Sequence, residues 1–446
     1  MLRSPYGARV YLPTFFNALL MLMRSSTTAT LLVCLTLAAS ISAQQPCEVA
    51  AIGGQDCGAR LNTITTAVPF LMIGPDSRAG GMGDAGVAVS PDVNALHWNP
   101  SKLAFSENKG EFSISVSPWL RNLVPDMSLA YLAGYKKLNN KRSAIGGSLR
   151  YFNLGSITVT DINGAVIRDF TPSEYAIDLS FAQQFSNKVA GGISIRYINS
   201  NLTGGISVQG ANSRPGRSVA ADVSFFYREP DLQLGDKDAT FAFGLNMSNI
   251  GAKMSYTETA ERDFIPINLR MGPSLTVDLD EYNQIAINID ANKLLVPTPP
   301  IYSAELDSLS GEYVIVSGGD PDVGVAQGIF GSFTDAPGVV FYDADSVAHV
   351  EGGSKLREEL NEINLAGGIE YWYAQQFAFR TGYFWEHATK GNRKYFTLGL
   401  GVRFSIFQID LSYLIANTQR SPLANTLRFS LGFKFDGKSS KKDEVE

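Results

Sequence analysis

From residue 110 onward, apolar and polar side chains change places at every second position, in runs of about nine to thirteen residues. That period belongs to a strand with one apolar face. The last four runs show it best. In 375–386, Phe377, Phe379, Thr381, Tyr383 and Trp385 fall on one side and Ala378, Arg380 and Gly382 on the other. In 394–404, Phe396, Leu398, Leu400, Val402 and Phe404 oppose Thr397, Gly399, Gly401 and Arg403. In 407–417, Phe407, Ile409, Leu411, Tyr413 and Ile415 oppose Gln408, Asp410 and Ser412, and 425–435 sets Leu427, Phe429, Leu431, Phe433 and Phe435 against Arg428, Ser430, Gly432 and Lys434. The pattern predicts fourteen strands, at 110–117, 127–136, 143–155, 174–185, 188–200, 217–228, 239–250, 267–278, 283–292, 362–372, 375–386, 394–404, 407–417 and 425–435.

A soluble sandwich buries the apolar face of such strands and wets the polar one, whereas a transmembrane barrel turns the apolar face to lipid and keeps polar groups inside. Runs of this length cross a bilayer at the usual tilt. Aromatics recur near their ends (Tyr135, Tyr151, Tyr175, Tyr227, Tyr371, Trp372, Tyr373, Trp385), as interfacial girdles do. The expected fold is therefore all-β, a 14-stranded antiparallel transmembrane β-barrel occupying 109–435. Connections alternate in length: short turns follow the even-numbered strands, except for a longer stretch at 229–238, and longer loops follow the odd-numbered ones. Short turns mark the periplasmic side. Both termini are then expected to be periplasmic, with 436–446 as a charged tail.

The longest connection, 293–361, is too long to be structureless without a role. It is expected to be extracellular, to lack a regular strand and to hold one short helix at 355–360. Its apolar content marks Phe330, Phe333, Asp335, Pro337, Phe341 and Tyr342 as a candidate cargo- or partner-binding strip.

One long stretch does not read as strand. Residues 69–105 are rich in glycine and proline, and Ser90-Pro91 reads as the N-cap and first position of a helix that ends at Asn99-Pro100. Fourteen strands enclose a lumen wider than their own side chains fill. Residues 61–108 are thus expected to form a hatch inside it, starting from the periplasmic side, with Pro69, Asp76, Arg78, Gly80, Gly81, Asp84, His97, Trp98, Asn99 and Pro100 as its candidate residues. The rival, a wet periplasmic linker, conflicts with Pro69-Phe70-Leu71-Met72-Ile73 and Val87-Ala88-Val89.

Composition narrows the classes. The 446 residues carry a formal net charge of -6 with 11% aromatics and 42 glycines. A mean hydropathy of -0.01 does not suit a polytopic helical membrane protein, and a pI near 5.3 does not suit nucleic-acid binding, since no cation excess replaces phosphate counterions. Residues 1–43 read as a signal peptide, with Arg24, an apolar core at 29–39 and a small-residue cleavage site before Gln44, and with Met21 and Met23 as alternative starts. Pro13 and the shortness of each apolar run count against a membrane anchor there. A periplasmic lead-in, 44–60, holds Cys47 and Cys57, a candidate disulfide of roughly 2 to 3 kcal/mol or two idle thiols. Two thiolates without a histidine fall short of a zinc site.

The segments Asn62–Leu71, Pro75-Asp76-Ser77-Arg78-Ala79-Gly80-Gly81-Met82-Gly83-Asp84 and His97-Trp98-Asn99-Pro100-Ser101-Lys102-Leu103-Ala104-Phe105 resemble the start of the PorV (LptO) family, outer-membrane proteins of the type IX secretion system. The resemblance continues through Ser332–Gly338 and Glu358–Ile363 to Glu370-Tyr371-Trp372-Tyr373. It implies a non-enzymatic shuttle in the cell outer membrane, surrounded by outer-membrane lipid, that binds the C-terminal domains of secreted cargo at the translocon (SprA/Sov) and carries them to the PorU sortase complex. Arg78–Gly83 with Asn99-Pro100 is more distantly similar to the hatch of FadL-type transporters of hydrophobic small molecules, the alternative reading. Inward Arg403, Arg428 and Lys434 favour a filled polar interior over a greasy pocket.

An esterase needs a nucleophile, a base and an orienting group within reach. Of His97, His349 and His387, only His387 beside Glu386 stands near a membrane rim. Asp320, Asp322, Asp343 and Asp345 lack calcium-loop spacing. No enzyme activity, metal or cofactor is expected.

Overall fold

A computed structural model describes residues 61–435 apart from 121–123, 125, 161–162, 206, 209–210, 258–261, 307–312, 344–346 and 418–422. The signal peptide, the lead-in with Cys47 and Cys57, and the 436–446 tail lie outside the described residues.

Fourteen strands form the wall: β1 Gly110–Pro118, β2 Ser128–Lys137, β3 Ser143–Asn153, β4 Ser173–Gln184, β5 Val189–Asn201, β6 Gly216–Leu234, β7 Lys237–Gly251, β8 Asn268–Asp278, β9 Asn283–Leu294, β10 Asn364–Tyr373, β11 Phe377–Trp385, β12 Lys394–Phe404, β13 Phe407–Ala416 and β14 Leu427–Phe435. Each pairs antiparallel with its neighbour, and β1 closes on β14, with Gly110 opposite Phe435 and Val116 opposite Phe429. No strand edge is left open in the ring, as a membrane-spanning sheet requires. The alternation read from the sequence is the alternation of the wall. Phe396, Leu398 and Leu400 on β12 are 53%, 52% and 53% exposed, while Thr397 between them is 1% exposed. Large apolar groups outside and buried polar groups inside make this a transmembrane barrel.

Strand bounds follow the sequence pattern to within a few residues, except at β6 and β7. The stretch 229–238, expected as an irregular connection, continues both strands to a turn at Gly235 and Asp236. The register shifts between Glu229 and Leu232, where Pro230 sits. A bulge is where a strand accommodates proline's missing N–H, and that exception hid the hairpin. Two aromatics assigned to the girdles also point the other way. Tyr135 and Trp372 are 6% and 3% exposed and face inward, because they occupy the inward phase of the alternation.

Connections of two to five residues gather at one end of the barrel and longer ones at the other. The longest, between β9 and β10, is not free of strands as expected. It holds paired strands Ile301–Leu306 with Tyr313–Ser317 and Val340–Tyr342 with Ala348–Val350, a helix Val325–Gly331 and a helix Ser354–Asn361. These strands of three to six residues are too short to display a period.

Residues 61–106 run down the lumen. Asn62 donates its backbone N–H to Thr389 O (2.9 Å) and its side chain to Pro299 O (3.1 Å), and the Ala67 N–H reaches Phe264 O (2.9 Å), all in long connections. At the other end Ser106 O accepts from Lys137 Nζ (2.7 Å), beside a short turn. The described segment therefore starts at the long-loop end, where the reading of the sequence had it start at the short-turn end. Its ends are sealed by two apolar clusters. Val68, Phe70 and Leu71 pack with Phe152, Ile198, Ile265 and Ile267, and Leu96 and Leu103 pack with Tyr131, Ala144 and Ala190. The expected Pro91–Trp98 helix is only Ala95–Trp98, without a side-chain cap, because Ser90 Oγ is engaged by Arg78 Nη2 (2.6 Å).

A cation on the outer wall should be strongly unfavourable. Leu398→Lys, near the middle of β12, is expected to lower barrel stability by about 2–4 kcal/mol, read from the urea midpoint of protein refolded into lipid vesicles.

Candidate functional site

Within the lumen, Asp76 caps the short helix Ser77–Gly80, its carboxylate accepting from Ala79 N (2.9 Å) and from Trp98 Nε1 (2.6 Å). That helix aims Arg78 at the wall. The guanidinium donates through Nε and Nη2 to the two oxygens of Glu370 on β10 (2.9 and 2.8 Å), and through Nη1 to Asp92 (2.9 Å) and Ser90 O (3.1 Å). Glu370 also accepts from Arg380 on β11 (2.8 Å), and Arg380 donates to Asp410 on β13 (2.7 Å). The result is an alternating chain Asp92–Arg78–Glu370–Arg380–Asp410, and its guanidinium–carboxylate fork is the geometry that orients as well as binds.

Other contacts go round the wall. Asp84 pairs with Arg428 on β14 and accepts from Tyr395 on β12 (2.6 Å). Asp290 on β9 accepts the backbone N–H groups of Gly86 and Val87 (2.7 and 2.9 Å). Asn99 donates to Val87 O and to Phe225 O on β6 (3.0 Å each), and Val93 N donates to Glu111 on β1 (3.0 Å). Arg150 on β3 donates to Leu71 O (2.7 Å) and meets His97, while Arg270 on β8 stacks 4.3 Å over Trp98. Strands on every side of the ring thus hold the segment. Where backbone meets backbone, glycine makes the room. Gly83 has φ +69, and a Cβ there would lie 2.7 Å from Tyr383 N; a Cβ on Gly382 would lie 2.1 Å from Met82 C. The two best-formed voids beside the segment are about 10 Å³ each, room for about one water.

Of the candidate hatch residues, Asp76, Arg78, Asp84, His97, Trp98 and Asn99 are brought together in this way. Pro69 and Pro100 instead open 3₁₀ turns, and Gly80 and Gly81 lie against Arg428 and Gly399. Sequence reading did not single out Glu370, Asp290, Glu111, Arg150 or Arg270 among the wall partners. Their signal was a lone charge in the inward phase of an apolar run. The residues weighed for catalysis or metal binding have ordinary partners: Glu386 takes Arg393 (2.9 and 2.7 Å), His387 caps a 3₁₀ turn through Thr389, and His349 pairs with Asp343 (2.8 Å).

At the long-loop end a second buried network ties 293–361 to the barrel mouth. Lys293 on β9 reaches Glu359 (3.1 Å) and Glu362 (2.6 Å), and Lys390, in the β11–β12 connection, reaches Glu358 (2.8 Å) and Glu362 (2.9 Å). Glu358 also accepts from Asn62 (2.9 Å), so the lumen segment shares the node. On this frame Phe330, Phe333, Phe341 and Tyr342 are 78%, 47%, 52% and 57% exposed. Asp335 and Pro337 are not part of that face. Asp335 accepts from Thr298 N (3.1 Å), and Pro337 is buried with its carbonyl held by Ser317 (2.6 Å).

The family profile described as type IX secretion system protein PorV matches residues 56–301. The chain belongs to the PorV family. A role in type IX secretion comes with that membership. The match takes in the lumen segment and β1–β9, while most of the long-loop module and β10–β14 lie beyond it. No curated protein matches the chain by sequence. Among solved structures, the chain is similar to the deltaS2S3 mutant of the TodX monoaromatic hydrocarbon channel, at 13% identity and TM-score 0.44 over 82% of this chain and 99% of that one. It is also similar to the toluene transporter TbuX of Ralstonia pickettii (12%, 0.43, 81% and 98%) and a FadL homologue of Pseudomonas aeruginosa (11%, 0.37, 84% and 99%).

Two outcomes follow for this PorV-family chain. Arg78→Met removes the fork on Glu370, which keeps only Arg380, and leaves half-buried Asp92 without its cation, and should cost up to about 3–5 kcal/mol. The double variant Arg78→Met with Glu370→Met should recover part of that, both read as thermal shifts of folded barrel on gels. Burial, opposed by the Thr298 hydrogen bond and reinforced by Glu359 and Glu362, raises Asp335 to about 6. A carboxyl raised on folding binds more protons folded than unfolded, so the module should lose stability as pH rises from about 4 to about 6, then level off. Hydrogen exchange across 293–361 should show that slope, and Asp335→Asn should abolish it.

Proposed function

We propose that the protein is a non-catalytic cargo shuttle of type IX secretion in the outer membrane. Residues 61–108 act as a hatch that keeps the pore shut, and the long-loop end faces the cell exterior, where it receives the C-terminal signal domain of secreted cargo. The translocon (SprA/Sov) hands cargo to this face and the PorU sortase complex takes it up. The observation that carries the reading is the pairing of a filled lumen with an exposed apolar face. No route for a folded domain runs through this barrel, yet Phe330, Phe333, Phe341 and Tyr342 stand out on a braced frame, the kind of patch that marks a protein-binding site. The alternative, passage of a small hydrophobic molecule, has less support, because the ladder of fourteen strands is closed and the two voids described beside the segment each hold about one water.

Site-specific photo-crosslinking in native membranes tests the shuttle. A crosslinker at Phe333 or Phe341 should capture proteins sharing a C-terminal domain, and Phe333→Asp with Phe341→Asp should reduce capture several-fold without changing barrel stability. Unchanged capture and secretion in that variant would remove the strip from the mechanism.

A further inference from the structure

The described segment has a direction. Leu61 and Asn62 stand at the long-loop end, where Asn62 is bonded to Thr389, Pro299 and Glu358; Ala67 is bonded to Phe264, and Phe70 stacks on Phe152 at the end of β3. Ser106 stands at the short-turn end, where Lys137 holds it. Between them the chain passes Arg150, Asp290, Glu370 and Arg428 of the inner wall and turns into β1 at Gly110. Leu61, Thr63 and Thr65 are exposed, with Asn62, Ile64 and Thr66 partly covered between them. This is the alternation of an extended strip lying on a surface, not of a chain crossing an interior.

We infer that Leu61–Thr66 is part of the outer face of the protein, so that the lumen segment runs from the exterior rim to the periplasmic one. The inference rests on the orientation proposed above for the long loops, but the end-to-end direction of the segment does not. An exported polypeptide reaches the outer membrane from the periplasm. Leu61 therefore has to pass the whole depth of the membrane during assembly. A stopper inserted from the periplasmic side into a finished barrel would have the opposite direction. The exterior surface then includes the strip that Asn62 staples to Glu358 of the long-loop module.

Cysteine accessibility in intact cells tests this with the full-length protein in its own membrane. Single variants Leu61→Cys and Thr63→Cys are made together with Cys47→Ser and Cys57→Ser and treated with a membrane-impermeant maleimide. Val347→Cys, 52% exposed on the module, reports the long-loop end, and Asn139→Cys, exposed in the β2–β3 turn, reports the other. Heat-modifiable gel migration verifies that each variant folds, and Thr63 serves if Leu61 does not tolerate the change. Leu61→Cys and Thr63→Cys should label in intact cells as fully as Val347→Cys, with Asn139→Cys labelling only after permeabilisation. Labelling of Val347→Cys in intact cells, with both segment variants silent until permeabilisation, overturns the inference alone. Exchange of the Val347→Cys and Asn139→Cys behaviours overturns the proposed orientation and the inference with it.

Discussion

The interior of this barrel is organised by the need of buried ions for partners. A guanidinium or carboxylate taken from water into a protein-filled cylinder loses several kcal/mol of hydration, which only close, well-directed opposite charges return. Glu370 meets that need with two guanidiniums, one from the segment and one from the next strand. Once the wall carries Glu370, Arg380 and Asp410 in the inward phase, the lumen cannot stay empty without leaving water to do the same work. Arg78 does it instead, and four short turns of chain follow from where Arg78 must stand. Specificity is the clearest return. A hydrophobic stopper would slide or rotate in the bore, whereas a forked pair fixes both position and direction.

The same logic recurs at the mouth. Lys293, Lys390 and three glutamates form a largely buried node, with Glu362 receiving both lysines. A long connection between β9 and β10 would otherwise pay a large ordering entropy for little contact. Anchored at its base, it can hold aromatic side chains out in solvent without collapsing onto them. Asn62 ties the start of the lumen segment to that node through Glu358, so the segment and the long-loop module are braced together.

The wall was legible in the sequence because a lipid-facing strand has the simplest code there is, one letter in two, repeated. Phe396 to Phe404 states it without an error. The code broke where geometry departed from an ideal strand: Pro230 at a bulge hid the extension of β6 and β7, and the paired strands at 301–306 and 313–317 were too short to carry a period. The lumen segment was legible only as a composition. Glycine at 83 announces close approach, but not that Tyr383 is the neighbour, since that partner is three hundred residues away in sequence and only the closed ring brings it near. Ser90 illustrates the limit differently. Its local environment suits a helix cap, and a tertiary bond from Arg78 takes its hydroxyl.

Direction is the property that neither composition nor period encodes. A segment preceding fourteen strands whose last and first ends both lie at the short-turn side invites the assumption that it begins there too. The length of chain removes the need: residues 61 to 106, even coiled into short turns, reach from one rim to the other. The apolar residues decide which rim. Val68, Phe70 and Leu71 match the loop-fringed end, where Ile265, Leu295 and Val296 from long connections complete the cluster. Leu96 and Leu103 match the short-turn end, where Ala144, Ala182 and Ala190 leave space for them. Reversed, Phe70 and Leu71 would crowd those alanines, and Arg78 would be carried away from Glu370. Shape at the two rims and charge between them agree on a single orientation of the thread.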